Sequence, residues 1–219
     1  MRKIKSKSYE YIENLSAPES ENKKQARKFS ESLNLEGISL SSVEANILKF
    51  FVEEIKAQKI VEIGTLTGLS ALYVLEGLDE KAQLWTLEKS PEHAVLAAQS
   101  LKKYIDQKQC HILVGDAREE LQKISQNGPF DLVFIDGNKA AYLDYFNWAL
   151  ENLRVGGIII ADNVFLAGAV WGDPSHQKFN DKQVKTLQQM NKVAYENKKL
   201  RSILIPTEEG LLVCKKLLS

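Results

Sequence analysis

The sequence predicts an α/β protein built on a seven-stranded, mostly parallel β-sheet, with helices on both faces and a helical N-terminal extension. Two patterns support this prediction. Up to about residue 57, apolar residues recur at helical spacing between dense charges. From Lys59 onward, short and almost continuously apolar runs alternate with amphipathic stretches. That alternation is typical of βαβ units, and continuous apolar strands are what a sheet covered on both faces requires.

The individual elements follow from these patterns. Strands are predicted at 60–63, 84–87, 111–114, 132–135, 157–161, 203–205 and 211–214. Helices are predicted at about 68–78, 91–107, 117–126, 139–152 and 180–199. Only residues 206–210 separate the last two strands, which is too short for a parallel crossover, so the last strand should run antiparallel. In the extension, Ser41 or Ser42 ahead of Glu44 has the pattern of a helix N-cap.

The chain is predicted to form one domain over residues 1–219. Residues 1–57 would be the helical extension and 58–219 the α/β core, because no repeat or linker divides the sequence. The 29 basic and 29 acidic residues cancel, which argues against a strongly polyanionic partner and favours a small neutral substrate. There is no secretory signal and no apolar run near the roughly 20 residues of a membrane span, so we expect a cytoplasmic protein.

Three strand ends carry residues suited to a nucleoside ligand. The first strand leads into a loop, Glu62 to Ser70, with glycines at 64 and 68. This spacing departs from the G-x-G-x-x-G loop of dinucleotide-binding proteins, and Glu62 would repel phosphates but suit an ammonium group. Glu88, at the end of the second strand, can accept hydrogen bonds from ribose hydroxyls. At the third strand end, Asp116 or the backbone of Ala117 could meet an adenine edge. A tight turn and a solvated acid remain the alternatives for the loop and for Glu88.

The next two strand ends carry oxygen ligands. Asp136 follows the fourth strand, and Asp162 and Asn163 follow the fifth. Two carboxylates and an amide oxygen suit Mg²⁺, Mn²⁺ or Ca²⁺ rather than Zn²⁺. The alternative is that Asp136 caps a helix and the Asp-Asn pair forms a turn. Lys139 begins the following helix, where a positive charge is unfavourable, so it is a candidate general base.

Together these segments resemble the cation-dependent O-methyltransferase family, which includes caffeoyl-CoA and catechol O-methyltransferases. The resemblance runs from about residue 35 to 215, and its most specific parts are 62–70, 134–142 and 156–163. It implies the Rossmann-like fold of class I methyltransferases, S-adenosyl-L-methionine (SAM) as cofactor, a divalent metal such as Mg²⁺, and a homodimer. The implied metal ligands are Asp136, Asp162 and Asn163, with Lys139 as the base. The implied cofactor contacts are Leu40, Glu62, Gly64, Thr65, Ser70, Glu88, Ala117 and Asp136.

The implied reaction is methylation of a hydroxyl on a small catechol-like or phenylpropanoid-like aromatic substrate. The segment from Val164 to Phe179, with Phe165 and Trp171, could wall the substrate pocket. Plant members commonly have Asp-Ala-Asp-Lys where residues 136–139 are Asp-Gly-Asn-Lys, which leaves acyl-CoA specificity open. Methylation of 5-hydroxyuridine in tRNA is the alternative, suggested by Lys198, Lys199, Arg201 and the basic N-terminus. A nucleotide-binding regulator or dehydrogenase fits less well, because the dinucleotide loop is absent.

Overall fold

The computed structural model describes residues 6–35, 37–173 and 179–218, so the basic N-terminus at 1–5 and part of the 164–179 segment lie outside the described residues. Three helices form the N-terminal extension: α1 (Lys7–Leu15), α2 (Glu21–Ser32) and α3 (Ser42–Glu54). The predicted N-cap of α3 is Ser41, whose Oγ accepts a hydrogen bond from Glu44 N at 3.2 Å. In the described part of the chain, no helix is both long and apolar enough to cross a membrane.

The remaining elements confirm the predicted alternation of strands and helices. The strands are β1 (Lys59–Ile63), β2 (Gln83–Glu88), β3 (Cys110–Val114), β4 (Phe130–Ile135), β5 (Leu153–Ala161), β6 (Leu200–Ile205) and β7 (Leu211–Lys216). The helices are α4 (Leu69–Glu76), α5 (Pro91–Ser100), α6 (Lys102–Asp106), α7 (Ala117–Ile124), α8 (Tyr142–Asn152) and α9 (Asp181–Glu196). Short 3₁₀ turns lie at Ser125–Asn127, Lys139–Ala141 and Leu166–Trp171.

The seven strands form a sheet in the order β3-β2-β1-β4-β5-β7-β6. The pairs β1–β4, β4–β5 and β2–β3 are parallel, whereas β7 is antiparallel to both β5 and β6. The predicted sheet with an antiparallel last strand is therefore confirmed. The hairpin places β7 inside the sheet and β6 at its edge.

The chain divides into two compact units, residues 1–58 with 65–115 and residues 59–64 with 116–219. The first unit contains α1 to α6 with β2 and β3, and its fully buried side chains include Leu48, Leu72 and Leu84. The second contains the other five strands with α7 to α9, and it buries Phe134 and Phe146. The single domain expected from the sequence stays a prediction.

One predicted helix is interrupted in the first unit. The stretch 91–107 divides into α5 and α6 at Leu101, whose backbone leaves the helical conformation. Leu101 is fully buried and packs on Gly68, where an added Cβ would lie 3.1 Å from its side chain. The interruption thus occurs where Leu101 packs against the glycine loop.

Gly64, directly after β1, lies in close contact with the backbone of Asp136. Its φ is +101°, and a Cβ there would lie 2.2 Å from the backbone oxygen of Asp136. Gly172 also has a positive φ, +83°, but has nothing within 4 Å of the equivalent position. We expect Gly64→Ala to lower the free energy of unfolding by at least about 3 kcal/mol, and Gly172→Ala by about 1 kcal/mol. Urea denaturation measures both, and equal losses would contradict the close approach at Gly64.

Candidate functional site

The ends of β4 and β5 bring two of the predicted metal ligands to the same edge of the sheet. In the parallel register, Ile135 lies opposite Ala161, so Asp136 and Asp162 leave neighbouring strands at the same level. The backbone ladder continues beyond the strands, because Asp136 N donates to Ile63 O at 2.9 Å and Asp162 N donates to Ile135 O at 3.0 Å. Backbone hydrogen bonds therefore fix the positions of Asp136 and Asp162, independently of any contact that their side chains make.

The Asp162–Asn163 pair turns the chain out of β5. Asn163 has a φ of +58°, a left-handed conformation that asparagine tolerates better than most residues. Asp162 is fully buried, and its Oδ1 accepts a hydrogen bond from Asn163 N at 2.7 Å. This bond belongs to the turn that the sequence left open as the alternative.

Lys139 joins the two strand ends through its ammonium group. Its Nζ donates to Asp136 Oδ1 at 2.9 Å and to Asn163 Oδ1 at 2.6 Å. The 3₁₀ turn that begins at Lys139 is capped by Asn138, whose Oδ1 accepts from Ala140 N at 3.1 Å. The side chains of Lys139 and Asp136 are only 15% and 21% exposed, so water screens this ion pair weakly.

Tyr142 is the third partner of Lys139. The Nζ of Lys139 donates to Tyr142 Oη at 2.5 Å, and the phenol donates to the backbone oxygen of Asp162 at 2.9 Å. Burial raises the pKa of the Tyr142 phenol well above its usual value, and the charges of Asp136 and Asp162 raise it further. The phenol therefore stays protonated and acts as a hydrogen-bonding link, not as a base.

Sequence reasoning did not single out Tyr142, so it missed this contact with Lys139. The signal was available, since residues three apart on a helical turn are neighbours and Tyr142 follows Lys139 by three.

The donor set fits a hard divalent cation only if the amide is counted. Among the described residues, no group of three or more His, Cys, Asp or Glu side chains is arranged to hold a metal. The predicted set has two carboxylates, Asp136 and Asp162, and the amide oxygen of Asn163. Oxygen donors of this kind suit Mg²⁺, Mn²⁺ or Ca²⁺. The metal ligands stay a prediction that this arrangement supports.

In the first unit, Glu88 is held by the glycine loop. Its Oε2 accepts from Leu66 N and its Oε1 accepts from Ser90 N, both at 2.8 Å. His93 Nδ1 lies 3.5 Å from Oε1. The carboxylate is 10% exposed and rigidly placed, and each oxygen retains a lone pair for another donor.

The loop itself is fixed by hydroxyl groups. Thr65 Oγ1 lies 2.6 Å from Thr86 Oγ1, and Thr67 Oγ1 donates to Ala26 O at 2.8 Å. Ser30 Oγ lies 2.8 Å from Thr67 Oγ1. No periodic pattern in the sequence predicts these serine and threonine contacts, because they join segments about 20 to 40 residues apart.

The other predicted cofactor residues fall in both units. In the first unit, Leu40 and Thr65 are buried and Ser70 is half-buried near the start of α4. In the second unit, Glu62 is fully buried at the end of β1, and Ala117 begins α7. Asp116 is the N-cap of α7, accepting from Arg118 N at 3.0 Å. Their cofactor roles stay predictions.

The segment after Asn163 is a strained and well-anchored loop. Leu166 and Ala167 have φ values of +47° and +52°, which are uncommon for residues with side chains. Phe165 N donates to Glu209 O at 3.0 Å, and the ring of Phe165 packs on that of Trp171 edge to face at 5.3 Å. Trp171 is 65% exposed, so the pair presents an aromatic surface to solvent.

The Tyr142 hydroxyl gives the second prediction. We expect Tyr142→Phe to lower the free energy of unfolding by about 1–3 kcal/mol, because it removes a partner from both Lys139 and the buried Asp162 carbonyl. The matched control is Tyr145→Phe on the same helix, since no hydrogen bond of the Tyr145 hydroxyl is found among the described residues. Its cost should stay within about 0.5 kcal/mol. Equal costs in denaturant titrations would show that the Tyr142 hydroxyl is not a structural link.

Comparisons with known proteins identify relatives of this chain. Catechol O-methyltransferase of Niastella koreensis is 36% identical over 140 residues, which are 63% of this chain and 63% of that protein. Catechol O-methyltransferase of Mycobacterium tuberculosis is 33% identical over 141 residues, 64% of each chain. The matches thus span less than two thirds of either relative.

A solved structure covers more of the chain. The crystal structure of the O-methyltransferase TomG from Streptomyces achromogenes, which is involved in tomaymycin synthesis and was solved in complex with SAM, matches with a TM-score of 0.86. It is 25% identical, and the match covers 96% of both chains. A profile of a family described as O-methyltransferase matches residues 13–217. Since that match extends over nearly the whole chain, the protein belongs to the O-methyltransferase family.

Proposed function

We propose that this protein is a SAM-dependent, divalent-cation-dependent O-methyltransferase that acts on a hydroxyl of a small catechol-like or phenylpropanoid-like aromatic substrate. The observation that carries the proposal is the cluster at the ends of β4 and β5, where one amine contacts Asp136 Oδ1 and Asn163 Oδ1. A proton acceptor next to a set of oxygen ligands is what ionisation and methylation of a phenol require. Family membership supports the class of reaction.

Asp136, Asp162 and Asn163 would hold the metal, which we propose to be Mg²⁺, with Mn²⁺ or Ca²⁺ as alternatives. When bound, such an ion supplies positive charge that stabilises an oxyanion of the substrate. The protein's part is to keep the ligands in place, and the buried backbone of β4 and β5 does so.

Lys139 is the proposed general base. As a neutral amine, its Nζ would take the proton of the substrate hydroxyl and become an ammonium. The Tyr142 hydroxyl, which is not one of the proposed metal ligands, is in position to accept a hydrogen bond from that ammonium. Tyr142 is not a competing base, because its own proton is donated to the Asp162 carbonyl.

SAM is the proposed methyl donor. Glu88 would accept hydrogen bonds from its ribose hydroxyls, and the two backbone N–H groups that fix the carboxylate support this role. The other proposed cofactor contacts are Leu40, Glu62, Gly64, Thr65, Ser70, Ala117 and Asp136. SAM bound in the crystal structure of TomG supports the choice of cofactor.

Phe165 and Trp171 are proposed to pack against the aromatic substrate. They follow Asn163 closely in the chain and offer rings at the surface. The names of the two catechol O-methyltransferases support a small aromatic substrate. Methylation of tRNA remains the alternative, with Lys198, Lys199 and Arg201 exposed together at the start of β6.

We also propose that the protein is a homodimer. The support is a set of exposed apolar side chains on the N-terminal helices. Tyr11 and Leu15 on α1 are 66% and 70% exposed, and Phe50 on α3 is 59% exposed. Water-exposed side chains of this size are commonly covered by a partner when they lie together.

Removal of one ligand tests the metal dependence. Loss of a residue that only hydrogen-bonds to a metal ligand typically lowers activity by roughly 10- to 100-fold. We expect Asp162→Asn, which changes a proposed ligand itself, to lower turnover by more than that. Asp144→Asn on exposed α8 surface is the control and should leave turnover unchanged. EDTA should abolish methylation of a catechol by the wild type, and added Mg²⁺ or Mn²⁺ should restore it. Full turnover in excess EDTA would overturn the metal assignment.

Substrate acidity tests the base. We expect Lys139→Met to lower turnover of a simple catechol by roughly a hundred- to ten-thousandfold. The loss of turnover should be smaller for a nitrocatechol, because its hydroxyl is already largely ionised in solution, whereas an ordinary phenol has a pKa of about 10. Lys102→Met, which removes an exposed lysine on α6, should change neither rate. An equal loss on both substrates would make Lys139 a positioning residue instead.

A further inference from the structure

Two of the three side-chain oxygens that accept from Lys139 belong to residues that the proposed function assigns to the metal. Asp136 Oδ1 and Asn163 Oδ1 lie 2.9 Å and 2.6 Å from the Nζ of Lys139. The lysine side chain is 15% exposed, so it reaches these atoms inside the cluster and not from solvent. The same pair of atoms therefore serves two cationic partners.

Metal–oxygen distances indicate whether the Lys139 ammonium and a divalent cation can contact the same two oxygens at once. A divalent cation binds oxygen ligands at about 2.0–2.6 Å. An ion bound to both oxygens would therefore lie within about 5 Å of the Lys139 ammonium and would use the same two acceptor atoms. Two positive charges at such a distance repel strongly where water is largely excluded.

We infer that Lys139 competes with the divalent cation for Asp136 and Asn163, and so lowers the affinity of the site for the metal. The inference rests on the metal site of the proposed function. Lys139 would then have two roles, as the general base and as a side chain that sets the affinity of the site for the cation.

Tyr142 gives the displaced lysine a second position. Its Oη lies 2.5 Å from Nζ and is not among the oxygens assigned to the metal. The phenol is fully buried and anchored on the Asp162 carbonyl at 2.9 Å. When the cation takes Asp136 and Asn163, Lys139 retains its bond to Tyr142 and stays beside the site. Tyr142 is thus a positioning residue that eases metal entry.

Direct binding of Mn²⁺ to the full-length protein, followed by the electron paramagnetic resonance signal of free Mn²⁺ at one fixed pH, tests the inference without any turnover. We expect Lys139→Met to lower the Kd for Mn²⁺ by about tenfold, within the 5- to 150-fold range usual for coupled ligands. Lys102→Met removes the same charge from an exposed position and should leave the Kd within about twofold. Lys139→Gln repeats the test if the methionine variant does not fold.

Tyr142→Phe should shift the Kd in the opposite direction. Without its second position, Lys139 remains on Asp136 and Asn163, so we expect the Kd for Mn²⁺ to rise severalfold. In the Lys139→Met background the same substitution should have no effect on the Kd. A purely structural role of Tyr142 would instead raise the Kd in both backgrounds and would overturn its part in the competition.

The outcomes separate this inference from the proposed function. Mn²⁺ binding to the wild type with an equal or higher Kd for Lys139→Met would overturn the competition and leave the metal site standing. Absence of Mn²⁺ binding to the wild type and to Lys139→Met would overturn the metal assignment, and the inference with it.

Discussion

The parallel pairing of β1, β4 and β5 is the constraint on which the candidate site depends. Backbone hydrogen bonds from Asp136 to Ile63 and from Asp162 to Ile135 extend the ladder one residue past the strands. Because side chains alternate along a strand, a slip of one residue would turn these acids to other faces. The register is held by a buried core, since Phe134 and Ile160 are paired in it and almost fully buried. Packing in the middle of the sheet thus determines chemistry at its edge.

Close backbone approach is the second consequence of this pairing. Gly64 follows β1 and lies against the backbone of Asp136, with no room for a Cβ. Gly64, which the sequence assigns to a ligand-binding loop or a tight turn, is therefore also required by the packing against Asp136. In the first unit the following loop is held by Thr86 and Glu88, so its backbone is placed by hydrogen bonds on several sides. A preorganised loop loses little conformational freedom when a ligand binds.

Charge at the edge is balanced within a small group of residues. Lys139 is surrounded by oxygens of Asp136, Asn163 and Tyr142, and Tyr142 is linked in turn to the Asp162 backbone. In a poorly hydrated cluster each polar group needs a hydrogen-bond partner, because an unpaired polar group lowers the stability of the folded protein far more there than in water. If the proposed divalent cation enters, it exchanges partners with the lysine. In the proposed function, the low exposure of the ion pair would also couple proton transfer to metal binding.

The sequence by itself determined the order and type of the elements, because strand and helix periodicity are local properties of the chain. It also brought Asp136, Asp162, Asn163 and Glu88 to strand ends, since all parallel strands carry their carboxyl ends to one edge. Only the tertiary structure decided that β7 lies between β5 and β6, because insertion depends on partners distant in sequence. It alone decided that Lys139 turns onto Asp136 and Asn163, and that the phenol of Tyr142 is its third hydrogen-bond partner. These contacts depend on side-chain direction and burial, which the spacing of residues along a chain does not specify.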